Sequence, residues 1–170
     1  MGFTALDGLM MGTRCGNLDP GVVLHLLYER GFNKREINSL LYQGSGLKGV
    51  SGISADLRVL EESGDPQALF ARELFAYRAA VTLGQMAMAA GGIDAIVFTA
   101  GIGENSADMR ARIAAHAGWM GFALDEAANR AASRAEARIE APGSAPIAVI
   151  PTRSEEHTSE LQSRFGISYA

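Results

Sequence analysis

Residues 97–106 read VFTAGIGENS, and this stretch decides the fold class. Its first residues end a short apolar, β-branched run, DAIVF, which is typical of a buried strand. Gly101 and Gly103 then favour a sharp turn, and Ser106 is placed to cap a helix over ADMRARIAAHAG. A buried strand that passes through a glycine-rich turn into a helix predicts the α/β class.

The same stretch also predicts a binding site for a polar ligand. Glycine at positions 101 and 103 leaves room for a ligand close to the backbone. Glu104, Asn105 and Ser106 lead into a helix N-terminus, where free N–H groups and the helix dipole favour phosphate. The Asn105 amide both donates and accepts hydrogen bonds, as a ribose or an adenine edge requires. On the spacing of these residues alone, an ordinary tight turn between a strand and a helix, with no bound ligand, is the alternative interpretation.

Helix boundaries are marked clearly elsewhere in the chain. Asp19 with Pro20, Asn33, and Asp65 with Pro66 are N-cap signals, and each is followed by an apolar periodic run that ends at glycine. The longest predicted helix is PQALFARELFAYRAAVTLGQMAMAA. Large apolar residues recur along it at helical spacing, so we expect one face to lie in the core. That face comprises Leu69, Phe70, Leu74, Tyr77, Val81 and Met88.

The remaining segments complete a helix-rich pattern. Residues 44–52, GSGLKGVSG, contain too much glycine for a helix and predict a loop that passes close to a neighbouring group. LDEAANRAASRAEAR predicts a further helix, and PIAVIP predicts a second short buried strand.

Two charged positions stand out as candidate functional residues. Arg14 lies in a loop of small residues between Gly12 and Gly16, and a guanidinium suits the charge that develops on a transferring phosphoryl group. A structural ion pair between Arg14 and a carboxylate such as that of Asp19 is the alternative. Asp56 and Arg58 flank Leu57 after a glycine-rich segment, and a solvated turn is the simpler interpretation of these three residues.

Composition excludes several classes of function. The chain has 170 residues, 48% hydrophobic and 20% charged, with a net charge of −4 and no basic stripe for nucleic acid or an anionic membrane. The lone Cys15 excludes an internal disulfide, and no segment has the length of a membrane span or the pattern of a signal peptide. We therefore expect a soluble cytoplasmic protein.

Three segments, in this order, resemble the C-terminal half of acetate kinases: MGFTALDGLMMGTRCGNLDP, SGISADLR and VFTAGIGENSADMR. The resemblance runs from Met1 to about Thr152. It implies a helix-rich, incomplete ribonuclease H-like domain of the actin-like ATPase superfamily. It also implies reversible transfer of the γ-phosphoryl group of ATP to acetate with Mg²⁺, which gives acetyl phosphate and ADP.

The resemblance assigns roles to individual residues. Arg14 would stabilise the transition state of phosphoryl transfer. The segment around the adenosine moiety would be Asp56, Leu57 and Arg58. The adenine-nucleotide loop would be Gly101, Ile102, Gly103, Glu104 and Asn105. No residue of this chain is implied as a metal ligand, and a homodimer is implied for the full-length protein.

The sequence departs from the family pattern in two ways, and each departure leads to an expectation. The family's other phosphate-, metal- and substrate-binding segments are absent, so we expect the chain alone to be catalytically inactive. Residues 153–170, RSEEHTSELQSRFGISYA, resemble a translated sequencing-library adapter and predict a non-native tail after a nucleotide-binding part at 1–152. A propionate or butyrate kinase, a non-enzymatic ATP-binding module of the same superfamily, and a broken reading frame without a functional product remain alternatives.

Overall fold

The structure, a computed structural model, describes residues 2–132 and 135–152. The predicted non-native tail therefore lies outside the described residues. Helices dominate the described part, and none of them has the length and apolar character needed to cross a bilayer. The helices are α1 (Pro20–Tyr28), α2 (Lys34–Gln43), α3 (Gly46–Ser51), α4 (Leu57–Glu62), α5 (Pro66–Ala90), α6 (Ala100–Asn105), α7 (Ala107–His116) and α8 (Glu126–Ala131). The strands are β1 (Ile96–Phe98), β2 (Ala137–Arg138) and β3 (Ile147–Val149).

The predicted N-caps of α1, α2 and α5 are confirmed. The Asp19 carboxylate accepts a hydrogen bond from the Gly21 amide at 2.8 Å, and the Asp65 carboxylate does the same for the Gln67 amide at 2.7 Å. Asn33 forms a capping box with Glu36. Each cap satisfies backbone donors that have no partner within the first helical turn, which explains why these helices begin where the sequence predicts.

The predicted core face of α5 is wrong for five of its six residues, and of the six only Leu74 packs against the core. The buried residues of this helix are Ala68, Ala71, Ala76 and Ala87, whereas Met88 is 83% exposed. Leu69, Phe70, Tyr77 and Val81 are exposed as well. Alanine lets α5 approach its neighbours α3, α4 and α7 closely. A helix with apolar residues on several faces does not reveal by periodicity which face is covered.

Within residues 44–52, where the sequence predicts a loop, Gly46–Ser51 form the short helix α3. Its first N–H groups find acceptors in the segment around Arg14: Leu47 donates to the Met11 carbonyl and Lys48 to the Gly12 carbonyl, both at 2.9 Å. Leu47 is 1% exposed. Tertiary hydrogen bonds and burial thus outweigh the low helix propensity of glycine.

The described strands form one mixed sheet with β3 in its centre. Strand β1 pairs parallel to β3, with Ile96 opposite Ile147, and β2 pairs antiparallel to β3. The two strands predicted from sequence are confirmed. The helix predicted over residues 124–138 is wrong in its second half, because α8 ends at Ala131 and Ala137–Arg138 form β2.

Two hydrophobic clusters form the core of the described residues. The first joins α3, α4, α5 and α7, and the second covers the sheet. Ile113 of α7 packs against both clusters, so α7 connects the helical layer to the sheet. The arrangement confirms the helix-rich α/β class and places α4 beside α6.

Candidate functional site

Two of the sequence-predicted segments line one cleft of about 380 Å³ between α4 and the junction of α6 and α7. The lining residues are Asp56, Leu57, Arg58, Glu61, Gly101, Ile102, Asn105 and Ser106. Segments more than 40 residues apart in sequence therefore share one surface. A concave site with apolar walls and a few polar groups is the usual form of a small-molecule site.

The wall of the cleft formed by α4 contains an ion pair at the N-terminal end of this helix. Asp56 caps α4 by accepting a hydrogen bond from the Arg58 amide at 3.0 Å, and its carboxylate pairs with the Arg58 guanidinium at 2.6 Å. The hydrogen bond from the Arg58 side chain holds the pKa of Asp56 below its ordinary value. Leu57 is 7% exposed and anchors this turn in the core. The wall thus presents an ionised carboxylate and a guanidinium to solvent.

The opposite wall is a helix where the sequence predicts a tight turn. Ala100 adopts a φ of +59°, a left-handed conformation that is uncommon for a residue with a side chain. Gly101 lines the cleft, and a Cβ there would meet no atom within 4 Å. Gly103 instead packs against β1, because its Cβ would lie 3.1 Å from the Phe98 carbonyl carbon. Only the first glycine leaves space at the cleft.

The side chains of Glu104 and Asn105 both form hydrogen bonds within the protein. The Asn105 amide donates to the Gly101 carbonyl at 2.8 Å, across one turn of α6. The Glu104 carboxylate does not line the cleft and accepts hydrogen bonds from the Thr152 amide at 2.8 Å and the Thr152 hydroxyl at 3.0 Å. The first of these bonds lowers the pKa of Glu104.

The hydrogen bonds between Glu104 and Thr152 predict a pH-dependent contact. Because the folded-state pKa of Glu104 lies below its unfolded value, the stabilisation is present above the unfolded pKa and is lost as pH falls through the folded pKa. We expect the Thr152 amide to lose protection from hydrogen exchange on acidification below the usual range of a glutamate carboxyl. Glu104→Gln should flatten this dependence, whereas an unchanged acid transition in Glu104→Gln would contradict it.

Sequence reasoning missed Glu61. Ser106, correctly predicted as the N-cap of α7, accepts a hydrogen bond from the Met109 amide at 2.9 Å and donates its hydroxyl proton to Glu61. This contact joins the two walls at the cleft, where both side chains lie. The available signal is helical spacing, because Glu61 follows Arg58 by three residues and so lies on the same side of α4.

The structure places Arg14 in a loop whose backbone lies against Gly46 at the start of α3, and Arg14 does not line the cleft. The Met11 amide donates to the Arg14 carbonyl at 3.0 Å and closes a short loop, and the guanidinium donates to the Met11 sulfur at 3.6 Å. No carboxylate in residues 2–132 and 135–152 forms an ion pair with Arg14. The alternative of a pair with Asp19 is therefore wrong, since Asp19 caps α1.

Gly12 brings the Arg14 loop against the residue that precedes Asp56. A Cβ at Gly12 would lie 2.8 Å from the Ala55 carbonyl oxygen, closer than packed atoms allow. The absence of a side chain thus permits direct contact between the Arg14 loop and the start of α4. All three predicted segments are neighbours in space, although only two line the cleft.

The described residues offer few ligands for a metal ion. Within residues 2–132 and 135–152, no three His, Cys, Asp or Glu side chains are grouped closely enough to hold one. Cys15 is partly buried, and burial raises the pKa of its thiol. The polar side chains among the residues that line the cleft are those of Asp56, Arg58, Glu61, Asn105 and Ser106.

Comparison with known proteins identifies relatives over most of the chain. The model of the acetokinase family matches residues 1–159. Because this match extends past Thr152, the boundary placed there stays a prediction. An acetate kinase from Rhodopseudomonas palustris (strain TIE-1) is 60% identical over 129 residues, which cover 76% of this chain and 32% of that protein. One from Nitrobacter hamburgensis is 49% identical over 165 residues, covering 95% and 40% respectively.

Solved structures show the same relationship. Porphyromonas gingivalis acetate kinase matches with a TM-score of 0.89 at 35% identity, over 98% of this chain and 43% of that one. A propionate kinase from Francisella tularensis matches with a TM-score of 0.84 at 36% identity, over 91% and 40%. The chain thus spans roughly a third to two fifths of the length of these relatives. From its sequence and its fold together, the chain belongs to the acetokinase family.

Proposed function

We propose that the protein to which this chain corresponds transfers the γ-phosphoryl group of ATP reversibly to acetate, giving acetyl phosphate and ADP. The observation that carries this proposal is the shared cleft, which joins the Asp56–Arg58 segment to the Gly101–Asn105 segment. Relatives named acetate kinase at up to 60% identity support the choice of reaction. Because the chain spans a minor part of those relatives, the activity is proposed for the whole protein.

The cleft suits the adenosine end of the nucleotide. Leu57 and Ile102 are the large apolar residues that line the cleft, and they give it apolar surface for a base. Asp56 accepts hydrogen bonds from ribose hydroxyls in this proposal, and Arg58 holds that carboxylate ionised. Gly101 leaves the α6 backbone open to close approach.

Arg14 is proposed to act at the transferring phosphoryl group. A guanidinium remains charged at all physiological pH values and stabilises the charge on the equatorial oxygens in the transition state. Lacking a carboxylate partner in the described residues, the Arg14 side chain has donors left for such oxygens. Mg²⁺, the proposed metal, would supply further charge neutralisation when bound, but the described residues provide no cluster to hold it.

A homodimer is proposed for the whole protein, and the exposed apolar side chains of α5 are consistent with burial in an interface. A cytoplasmic location is consistent with the single cysteine, which is free. Propionate is the second candidate substrate, because the Francisella propionate kinase shares this fold at 36% identity.

Two measurements test the proposed function. Calorimetric titration of the 170-residue chain should show binding of ADP, and Gly101→Leu should weaken that binding by about tenfold or more because it fills the cleft. Gly118→Leu, at another glycine with open space around it, is the matched control. Equal ADP affinity in all three proteins, or no binding at all, would contradict the proposed cleft.

The reaction is tested in a chimera. Residues 1–152 replace the matching part of the Rhodopseudomonas palustris acetate kinase, and phosphoryl transfer to acetate and to propionate is assayed. We expect activity with acetate in the chimera and none in the 170-residue chain alone. Preference for propionate would select the second candidate, and a folded chimera that is inactive with both acids would contradict the proposal.

A further inference from the structure

We propose that Arg110 is a positioning residue for the nucleotide cleft: from behind the α6 wall, it fixes the segment that carries Gly101, Ile102 and Asn105. This inference rests on the proposed function, because it assigns Arg110 a role in binding at the same cleft. Arg110 does not itself line the cleft. It is 1% exposed and lies in α7, directly behind the C-terminal end of α6.

The guanidinium of Arg110 uses its donors on backbone and amide oxygens. Its Nη1 donates to the Gly103 and Glu104 carbonyls at 2.8 and 3.1 Å. Its Nη2 donates to the Asn129 and Ala132 carbonyls at 2.7 and 3.1 Å, and its Nε donates to the Asn129 side-chain oxygen at 2.7 Å. A guanidinium has five N–H groups, and these five contacts match that number.

The acceptors belong to the C-terminal ends of two helices. Gly103 and Glu104 lie in the last turn of α6, while Asn129 and Ala132 end α8. Carbonyl groups there lack helical partners and carry the negative end of the helix dipole, so a cation stabilises both ends. No carboxylate in residues 2–132 and 135–152 forms an ion pair with Arg110. The charge is therefore balanced mainly by backbone dipoles.

Asn129 makes this connection rigid. While its side-chain oxygen accepts from Arg110, its amide donates to the Ala107 carbonyl at 2.9 Å, in the first turn of α7. Asn129 is 3% exposed. The end of α6, the start of α7 and the end of α8 are thus held by one buried network.

The consequence for the cleft follows from the length of α6. This helix has only six residues, so fixing its last carbonyls also fixes the orientation of its first turn. The lining residues Gly101, Ile102 and Asn105 all belong to it. Without Arg110, the α6 carbonyls would lose their buried donors, and the wall of the cleft would shift or open.

The test compares four variants of the full 170-residue chain, of which Arg110→Ala serves for rescue by guanidinium ion. Arg110→Met removes every donor at similar size, and Arg110→Lys keeps the charge but loses the fork. Arg112→Met is the matched control, because Arg112 lies on the same helix but pairs with Asp108 and Glu73 on the side facing α5. The readouts are the dissociation constant for ADP and hydrogen exchange of the amides at 101–105 and at 147–149.

We expect Arg110→Met to weaken ADP binding by about tenfold or more and to accelerate exchange at 101–105, with exchange at 147–149 unchanged. Arg110→Lys should lie between Arg110→Met and wild type, and Arg112→Met should resemble wild type in both readouts. Millimolar guanidinium ion should partly restore slow exchange at 101–105 in Arg110→Ala, because it refills the vacated space.

Other outcomes overturn the inference. Unchanged ADP affinity in a folded Arg110→Met, or faster exchange at 101–105 and 147–149 alike, would show a role in global stability alone. If Arg110→Met does not fold, Arg110→Lys decides by the same two readouts. If the wild-type chain does not bind ADP, the proposed function fails, and the pattern of exchange still decides whether Arg110 fixes α6.

Discussion

Gly46→Ala is expected to destabilise the protein by about 2–5 kcal/mol, from a left-handed backbone cost of about 1–2 kcal/mol and an overpacking cost of about 1–3 kcal/mol. Gly46 begins α3 with a φ of +65°. A Cβ there would lie 2.1 Å from the Met11 carbonyl oxygen and 2.9 Å from that of Arg14. Both atoms are backbone, so the clash can be relieved only by moving the Arg14 loop away from α3.

Urea denaturation of Gly46→Ala measures this loss, and Gly52→Ala is its matched control. Gly52 ends the same helix with a φ of +67°, yet a Cβ at that position would meet no atom within 4 Å. The control should therefore lose only the backbone cost of about 1–2 kcal/mol. If both variants lose the same free energy of unfolding, close contact between the Arg14 loop and α3 does not contribute to stability.

The elements predicted correctly from sequence are those that local chemistry determines. Asp19, Asn33 and Asp65 cap their helices through hydrogen bonds to amides two or three residues away, so the signal and its cause lie in the same short segment. The strands β1 and β3 are likewise short apolar runs that glycine or proline bounds. Such features need no knowledge of the remaining chain.

The errors arise where distant partners decide the structure. Helix α3 exists because the carbonyls of Met11 and Gly12 accept its first N–H groups, and those acceptors lie more than 30 residues away in sequence. On α5, close packing against neighbouring helices selects the alanine face over the face with larger side chains. Neither propensity nor periodicity contains this information.

The candidate site shows the same division. The resemblance to acetate kinases singled out Asp56 and Gly101, which line one cleft, whereas Glu61 and Arg110 went unnoticed. Arg110 contacts Asn129 and Ala132, which lie 19 and 22 residues further along the chain. The sequence predicts a helix around these two residues but does not show that this helix packs against α7. A buried arginine on an apparently amphipathic helix resembles a surface residue until its acceptors are known.

The largest effect on activity is expected from Arg14→Ala in the chimera that carries residues 1–152. An arginine that stabilises the charge of a transferring phosphoryl group contributes about 10³–10⁵ in kcat, so we expect kcat to fall by about 10³ or more. Because the stabilisation arises mainly in the transition state, the KM for ATP should change little. Arg14→Lys should recover part of the loss, since it restores a positive charge without the planar fork.

The control for Arg14→Ala is Arg30→Ala, at an exposed arginine just beyond the end of α1. It should leave kcat unchanged. Arg14 contacts the Met11 sulfur, so the thermal stability of each variant must be compared before the rates are interpreted. A folded Arg14→Ala chimera with near wild-type kcat would exclude Arg14 from the transition state. A higher KM for ATP with unchanged kcat would instead assign its guanidinium to ground-state binding of the nucleotide, because only stabilisation specific to the transition state lowers kcat when lost.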